Sequence, residues 1–284
     1  MTTLLALGAA LFYGVSDFAG GLAARARRPA AVLLAAQTTA TAALLLCLPF
    51  ATGRPDGTEL LLGASAGGCA AVGSLCLYTA LARGPMTTAA PLTAVLVAAL
   101  PLGFALLTGE RLGPTAWAGA PLAVLSVALI ARPGTAPSSA IERATVLHAT
   151  VSGAAFSAFF VLLARTDPTS GLTPLALAYL TATCAFAASA RLVRGKRSGR
   201  LQETGFPWRL SLTAGLTELA AHLCYQYAAR EGLLGIAAVL TALYPAATTL
   251  LASVVLRERP TRTQLAGYPL AVGAVVLLAL ASPG

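Results

Sequence analysis

Charge is what this sequence has least of. Only 10% of its 284 residues are charged, while 57% are hydrophobic, and soluble domains carry about 25% charged residues. A soluble domain of this length would need far more charge to cover its surface. The shortage therefore excludes an ordinary water-soluble fold and indicates a chain whose solvent is a lipid bilayer.

Motifs of catalytic and nucleotide-binding sites are also missing. The chain has no P-loop, no dinucleotide-binding fingerprint and no HExxH zinc motif. Gly73-Ser74 is followed by Leu75-Cys76, so the Gly-x-Ser-x-Gly elbow of serine hydrolases is absent too. Five cysteines lie in apolar surroundings without a CxxC pair, which is typical of small buried side chains. We therefore expect no enzyme activity, no cofactor and no metal.

Apolar residues, by contrast, occur in long blocks. A helix that crosses a bilayer needs about 20 mostly apolar residues, and its backbone groups must be paired internally. The blocks of about this length are 3–24, 30–51, 59–82, 86–108, 113–131, 144–164, 173–190, 207–229, 233–256 and 263–281. We predict an all-α membrane protein with ten transmembrane helices. Because the first block has no basic lead-in and contains Asp17, we expect it to remain as a span and not to be cleaved as a signal peptide.

The basic residues divide unevenly between the connectors. Those after odd-numbered blocks hold 15 of the 19 lysines and arginines, and those after even-numbered blocks hold the other four. Since positively charged loops stay in the cytoplasm, both termini are predicted outside it, in a multi-pass protein of the cell's inner membrane. This orientation accounts for the net charge of +9, so no nucleic-acid partner is expected.

The two halves of the chain repeat one another. Ala-Gly-Ala-Pro-Leu-Ala-Val at 118–124 matches Ala-Gly-Tyr-Pro-Leu-Ala-Val at 266–272 in six of seven positions, at an offset of 148. The same offset aligns Glu110-Arg111 with Glu258-Arg259. The predicted units are a first repeat at 1–131, a linker at 132–143 and a second repeat at 144–284.

Each repeat holds five helices, an odd number, so the second repeat must enter the membrane upside down relative to the first. We therefore predict two inverted five-helix repeats. Inverted repeats recur in transporters, where a twofold axis in the membrane plane relates the halves. Such halves can exchange conformations, which offers a route to alternating access.

Several short segments carry a resemblance to a known family. They are Phe12-Tyr13-Gly14-Val15-Ser16-Asp17-Phe18, the Glu-Arg pair after the fourth helix of each repeat, Gly119, Gly267 and Tyr244-Pro245. With these motifs and the duplication, nearly the whole chain resembles the EamA branch of the drug/metabolite transporter superfamily. The resemblance implies uptake or, more often, export of small metabolites, amino acids or drugs, and no enzyme chemistry.

The sequence departs from the family pattern in two respects. When the two repeats are aligned, the position of Pro245 corresponds to one near Val97 in the first half. The first half has no proline there and has Pro91 and Pro101 on either side instead. The resemblance also implies cytoplasmic termini, the opposite of the charge-based orientation. We keep the charge-based orientation because 15 basic residues against four is a large bias.

The eighth block carries the clearest candidate site. Glu218, His222 and Tyr225 are spaced i, i+4 and i+7, which places them on one helical face. Ionisable side chains at mid-bilayer cost about 2.5–3.5 kcal/mol each on insertion scales and are commonly functional. This face is either a site for a proton or a cationic substrate, or a Glu–His ion pair that ties the helix to a neighbour. The equivalent face of the third block keeps only Tyr78, so we predict an asymmetric site.

Other polar residues extend the candidate substrate- or ion-binding site. Asp17 is either a cavity carboxylate or a local partner of neighbouring hydroxyls and Arg25. Gln37 either contacts substrate or makes an interhelical hydrogen bond. The aromatic candidates, which line a cavity or pack between helices, are Tyr13, Tyr78 and Tyr244.

Small residues and prolines predict packing features. Gly63 and Gly67 form a GxxxG pair, a signal of close contact between helices. Pro121 and Pro269 occupy matching places in the fifth and tenth blocks, where each is expected to kink its helix.

These features favour a secondary transporter over a channel, which would need a continuous polar pore. We predict a carrier that exports a small metabolite, amino acid or drug-like molecule by alternating access with proton coupling; an uncoupled uniporter or a channel-like protein is the alternative. The expected partners are a small-molecule substrate, the bilayer and protons. Two fused halves allow a monomer or a homodimer.

Reporter fusions at the C-terminus and within 191–209 test the predicted orientation. We expect the C-terminal fusion to report from the periplasm and the loop fusion from the cytoplasm, because basic loops are retained there. A C-terminus that reports from the cytoplasm would reverse the orientation and agree with the one implied by the family resemblance.

Overall fold

Helices make up the regular structure of the chain. A computed structural model describes residues 1–50, 53–83, 86–130, 140–194, 205–231, 234–257 and 261–280, and it holds no strand within these ranges. The α-helices described are α1 (Thr2–Ala26), α2 (Pro29–Cys47), α3 (Gly57–Arg83), α4 (Met86–Leu107), α5 (Pro114–Ile130), α6 (Ala140–Ala164), α7 (Thr173–Arg194), α8 (Trp208–Glu231), α9 (Leu234–Thr241), α10 (Tyr244–Val255) and α11 (Arg262–Ala279). The all-helical prediction is confirmed.

Local sequence sets several helix starts. α2 and α5 begin at Pro29 and Pro114, where the missing proline N–H is one that a helix leaves unpaired anyway. α11 begins with a capping box, in which Thr261 Oγ1 accepts from Gln264 N and Gln264 Oε1 accepts from Thr261 N. α6 starts at Ala140, inside the stretch predicted as linker. The rest of that linker up to 139 lies outside the described residues, as do Glu258-Arg259.

The ninth predicted block is not one helix. α9 ends at Thr241 and α10 begins at Tyr244, with a turn between them. Pro245 has no N–H to donate to the carbonyl of Thr241 four residues earlier, so one hydrogen bond of the helical ladder is missing at this turn. Two other prolines do not end their helices: α5 continues past Pro121, and α11 continues past Pro269.

Length and apolar composition single out the membrane spans. Among the described residues, six stretches qualify in full: Thr2–Ala26, Pro29–Cys47, Gly57–Arg83, Arg143–Ala164, Thr173–Leu192 and Leu234–Val255. Three shorter apolar helices accompany them: Leu92–Leu107, Pro114–Ile130 and Arg262–Leu278. α8 belongs to neither set, since its polar residues lower its mean hydropathy.

The outer surface of the bundle is apolar. Leu107 is 89% exposed, Leu46 75% and Val254 71%, which suits contact with lipid. Cys47 and Cys184 also lie on this exposed surface. The expectation that the cysteines are small buried side chains is therefore wrong for these two, because each faces outward from its helix.

The most extensive helix contacts join the two halves of the chain. α1 packs on α8, and α3 packs on α6. Each of these contacts joins the first helix of one half to the third helix of the other. The pairs α2–α7 and α5–α11 each join a helix to its own counterpart. This reciprocity is what a twofold relation between two repeats requires.

Glycine permits the close approach of α3 and α7. A Cβ placed on Gly63 would lie 2.4 Å from the carbonyl oxygen of Pro174, and one on Gly67 would lie 2.3 Å from that of Ala178. Both obstacles are backbone atoms, which cannot swing away as a side chain can. The close contact predicted from the GxxxG pair is confirmed.

Gly67→Ala and its neighbour Gly68→Ala make a matched pair of stability tests. Gly67→Ala forces α3 and α7 apart and should cost about 1–3 kcal/mol, as overpacking does. The Cβ added by Gly68→Ala has nothing within 4 Å of it. Because alanine has a higher helix propensity than glycine, this change should leave the stability unchanged or raise it. Thermal unfolding of the purified proteins in detergent measures both, and equal melting temperatures would contradict the close α3–α7 contact.

Candidate functional site

A small cavity lies between the two halves. Its volume is about 40 Å³, which leaves room for a few water molecules. The described part of its wall comes from α1, α3 and α4 in the first half and from α6, α8, α9 and α10 in the second. These are counterpart helices under the repeat, so the cavity sits where the two halves meet.

Six of the eight predicted site residues line this cavity. They are Tyr13 and Asp17 on α1, Tyr78 on α3, Glu218 and His222 on α8, and Tyr244 on α10. They come from four helices and both halves, so the structure brings together residues that are up to 231 positions apart, from Tyr13 to Tyr244.

The other two predicted residues lie outside the cavity wall. Gln37 Nε2 donates to the carbonyl oxygen of Tyr179 at 3.5 Å, so in this conformation it makes the interhelical contact that was its alternative role. The ring of Tyr225 packs against that of Phe160 at a tilt of 48°, with the centroids 4.4 Å apart. Its hydroxyl is buried without a partner among the described residues.

The two carboxyl groups of the cavity have no cationic neighbour in the described wall. Asp17 is 8% exposed, and within the described residues neither it nor Glu218 accepts a hydrogen bond or forms an ion pair. Arg25, the local partner considered for Asp17, donates from Nε to the carbonyl oxygen of Leu81. The adjacent Ser16 hydroxyl donates to Ala214 on α8 at 2.9 Å.

His222 is held by a residue that the sequence did not point to. Its Nδ1 lies 2.6 Å from the hydroxyl of Tyr179 on α7. The rings of Tyr13 and Phe159 meet the imidazole edge-on at 5.2 and 4.8 Å. The part of the chain that the structure describes shows no Glu218–His222 ion pair, and it is the Tyr179 hydrogen bond that ties α8 to its neighbour.

The sequence also missed part of the cavity wall. The lining residues that were not predicted are Ser16, Ser74, Leu77, Val97, Phe156, Phe160 and Thr241. On α3, Ser74 and Leu77 line the cavity beside Tyr78, the one residue of that helix that was predicted. Tyr78 reaches the wall because position 20 is glycine: a Cβ there would lie 1.9 Å from the tyrosine hydroxyl oxygen.

The break between α9 and α10 lies in the cavity wall, since Thr241 and Tyr244 on either side of it both line the cavity. Pro245 leaves the Thr241 carbonyl without its helical donor. The Thr241 hydroxyl is buried without a partner among the described residues. Interrupted helices at the midplane, with free backbone carbonyls, are typical of transporter binding sites.

Polar contacts join the halves at the face where α1 begins, called here the N-terminal face. Arg54 N donates to the Thr169 carbonyl at 3.0 Å, and Asp167 N donates to Glu59 Oε1 at 3.1 Å. Glu110 accepts from Gly235 N at 3.0 Å, at the start of α9. Partial burial raises the pKa of Glu110, and the N–H groups at the start of α9 oppose that shift. These contacts connect the loops and helix ends of the two halves at the N-terminal face.

A larger groove lies at the opposite face, between α2 and α7. Its volume is about 770 Å³, and its polar residues are Arg27, Arg28, Arg191 and two threonines, with Trp208 at its end. The hydroxyls of Thr38 and Thr39 donate to carbonyls of their own helix. None of the predicted site residues lines this groove, so the central cavity is the candidate site.

A family model agrees with both the duplication and the membrane-spanning helices. The model of the EamA-like transporter family matches residues 1–132 and again residues 143–280. The chain belongs to the EamA-like transporter family. The resemblance noted in the sequence is therefore confirmed, and the chain stands among multi-pass membrane transporters.

Solved structures share the fold of this EamA-like transporter. One crystal structure of a protein superposes with a TM-score of 0.72 at 22% sequence identity, covering 98% of each chain. A search of curated proteins found no sequence similar to the chain. At this identity the structural match shows the fold alone.

The Tyr179–His222 hydrogen bond makes a second stability test. Tyr179→Phe removes the hydroxyl that bonds His222 and leaves a buried nitrogen unpaired, so we expect a loss of about 1–3 kcal/mol. Tyr225→Phe removes a hydroxyl that has no described partner and should be neutral or stabilising. Thermal unfolding of both variants decides the point; a Tyr179→Phe protein as stable as Tyr225→Phe would contradict the contact.

Proposed function

We propose that the chain is a secondary transporter of ten transmembrane helices in two inverted five-helix repeats. In this proposal it exports a small molecule across the inner membrane in exchange for protons, by alternating access. The repeats correspond to 1–131 and 144–284. Membership of the EamA-like family supports transport, and the direction, the coupling and the span count are part of the proposal.

One observation carries the proposal: the cavity between the halves holds one carboxyl residue from each. Asp17 comes from α1 and Glu218 from α8, two helices that pack against each other across the halves. A binding site at the interface of two repeats changes its access when the repeats move. Both carboxyl groups would therefore meet opposite sides of the membrane in turn.

Protons are suitable coupling ions because a carboxyl group is neutral when protonated. Burying a neutral carboxyl group is far less costly than burying a carboxylate. An empty carrier can thus return with its carboxyl groups protonated, and a substrate that displaces these protons takes their place. Exchange follows because proton and substrate compete for the same oxygens.

The geometry supports a closed conformation as one state of the cycle. A cavity of about 40 Å³ is too small for a metabolite, so the wall must widen to admit one. The contacts of Arg54 with Thr169 and of Glu110 with Gly235 join the two halves, so they must break for the N-terminal face to open. The turn between α9 and α10 offers a place where the wall can bend.

Transport in proteoliposomes, wild type beside Glu218→Gln, tests the proposal. A panel of radiolabelled amino acids, metabolites and drugs is screened with and without a pH gradient. We expect saturable flux that the gradient accelerates in the wild type, and loss of that acceleration in Glu218→Gln, because the amide cannot take up a proton. Asp56→Asn is the control, since it removes an exposed carboxylate outside the cavity and keeps an oxygen that can accept from Glu59 N.

Two results would contradict parts of this proposal. Saturable flux that ignores both the gradient and the Glu218→Gln change would leave an uncoupled uniporter. Non-saturable flux that grows linearly with concentration would indicate a channel, since a carrier must complete a conformational cycle for each molecule.

A further inference from the structure

The charge of the cavity wall limits what the cavity can hold. Asp17 and Glu218 bring two carboxyl groups to a space of about 40 Å³, and no lysine or arginine belongs to the described wall. His222 is the one described lining residue able to carry a positive charge, and one imidazolium balances at most one carboxylate. Unpaired buried charge is strongly unfavourable, so the cavity needs positive charge from a proton or a ligand.

Aromatic residues are the most numerous class among the other described lining residues. Tyr13, Tyr78, Phe156, Phe160 and Tyr244 all line the cavity. The ring of Tyr13 lies 6.0 Å from that of Phe160 and 6.2 Å from that of Tyr244, centroid to centroid. The faces of such rings attract ammonium groups, and a cage of several rings is a recurrent site for quaternary ammonium compounds.

Backbone chemistry adds further negative potential on two counterpart helices. Val97 on α4 and Thr241 on α9 both line the cavity. Each stands four residues before a proline, Pro101 or Pro245, so neither carbonyl can receive its usual helical N–H bond. Carbonyl oxygens are acceptors only, so wherever these two meet an occupant they favour a cation over an anion.

We propose that the transported molecule is an organic cation with an apolar body, an amine or a quaternary ammonium compound, bound between Asp17 and Glu218. This inference rests on the proposed transport function and adds the substrate class to it. The cation takes the place that protons hold in the empty carrier, and its apolar body packs on the rings. An anion would face two carboxyl groups with no described lysine or arginine to offset them.

Flux of radiolabelled phenyltrimethylammonium into proteoliposomes containing the full chain tests this inference. Unlabelled compounds of similar size compete with it: other quaternary ammonium ions, the neutral isostere tert-butylbenzene, and the anion benzoate. Labelled benzoate and neutral amino acids are assayed in parallel. We expect saturable flux of the cation, inhibited by other cations and not by the isostere or the anion.

Substitutions of the two cavity carboxyl residues test whether the cation binds between them. Asp17→Asn and Glu218→Gln should each raise the KM for the cation about tenfold or more, because a buried charge partner is lost. Asp17→Glu and Glu218→Asp keep the charge and should recover part of the affinity, which separates loss of charge from failure to fold. Asp56→Asn should behave as the wild type.

Three other outcomes of these flux measurements would each overturn a stated part of the proposal. Saturable transport of benzoate or neutral amino acids, with none of the cations carried, would refute the substrate class and leave the carrier function standing. Saturable cation flux that neither Asp17→Asn nor Glu218→Gln alters would refute the site. Absence of saturable flux for every compound would contradict the proposed transport function itself, and the inference with it.

Discussion

Two carboxyl groups inside an apolar bundle, one buried and one half-buried, set the constraint on which the rest of this structure depends, since the described cavity wall has no lysine or arginine. Asp17 and Glu218 are tolerable there only if they share a space that can admit a proton or a cation. That space is the cavity between the halves. The helices around it must therefore be close enough to exclude lipid and, under the proposed alternating access, still able to move.

Packing across the halves meets both requirements. Each helix of the first half makes its most extensive contacts with helices of the second, so neither half has a complete site alone. Glycines such as Gly63 and Gly67 bring helix backbones together, where van der Waals contact replaces the hydrophobic driving force that lipid does not supply. Among the described residues, few hydrogen bonds join the halves at the N-terminal face, and under the proposed alternating access these few would be exchanged for others.

The sequence predicted the helices and much of the site because both depend on local pattern. Apolar length defined the spans, and helical spacing put Glu218 and His222 on one face. Tyr225 shares that face but lies seven residues further along, roughly 10 Å down the helix axis, beyond the cavity. A spacing rule gives the direction of a side chain around its helix, and the depth at which the cavity lies is set by the other helices.

The missed features depend on tertiary contacts in the same way. In the sequence, nothing distinguishes Phe156, Phe160 and Tyr179 from ordinary packing residues. Their contacts at the site appear only when α6 and α7 are placed against α8. The break at Thr241 had a local signal in Pro245, but Pro101 and Pro121 lie in helices that continue. Proline removes one hydrogen bond, and the neighbouring helices determine whether the ladder stops there.

Access to the cavity from each side of the membrane tests the central claim most directly. Ser74 lines the cavity and is 3% exposed, so Ser74→Cys, in a chain whose five native cysteines are replaced, places one thiol in its wall. Membrane vesicles of known orientation are treated with an impermeant thiol reagent from one side or the other, under pH gradients of either sign. Alternating access predicts labelling from both sides, in a ratio that the gradient shifts. Labelling from one side only under every gradient would contradict it.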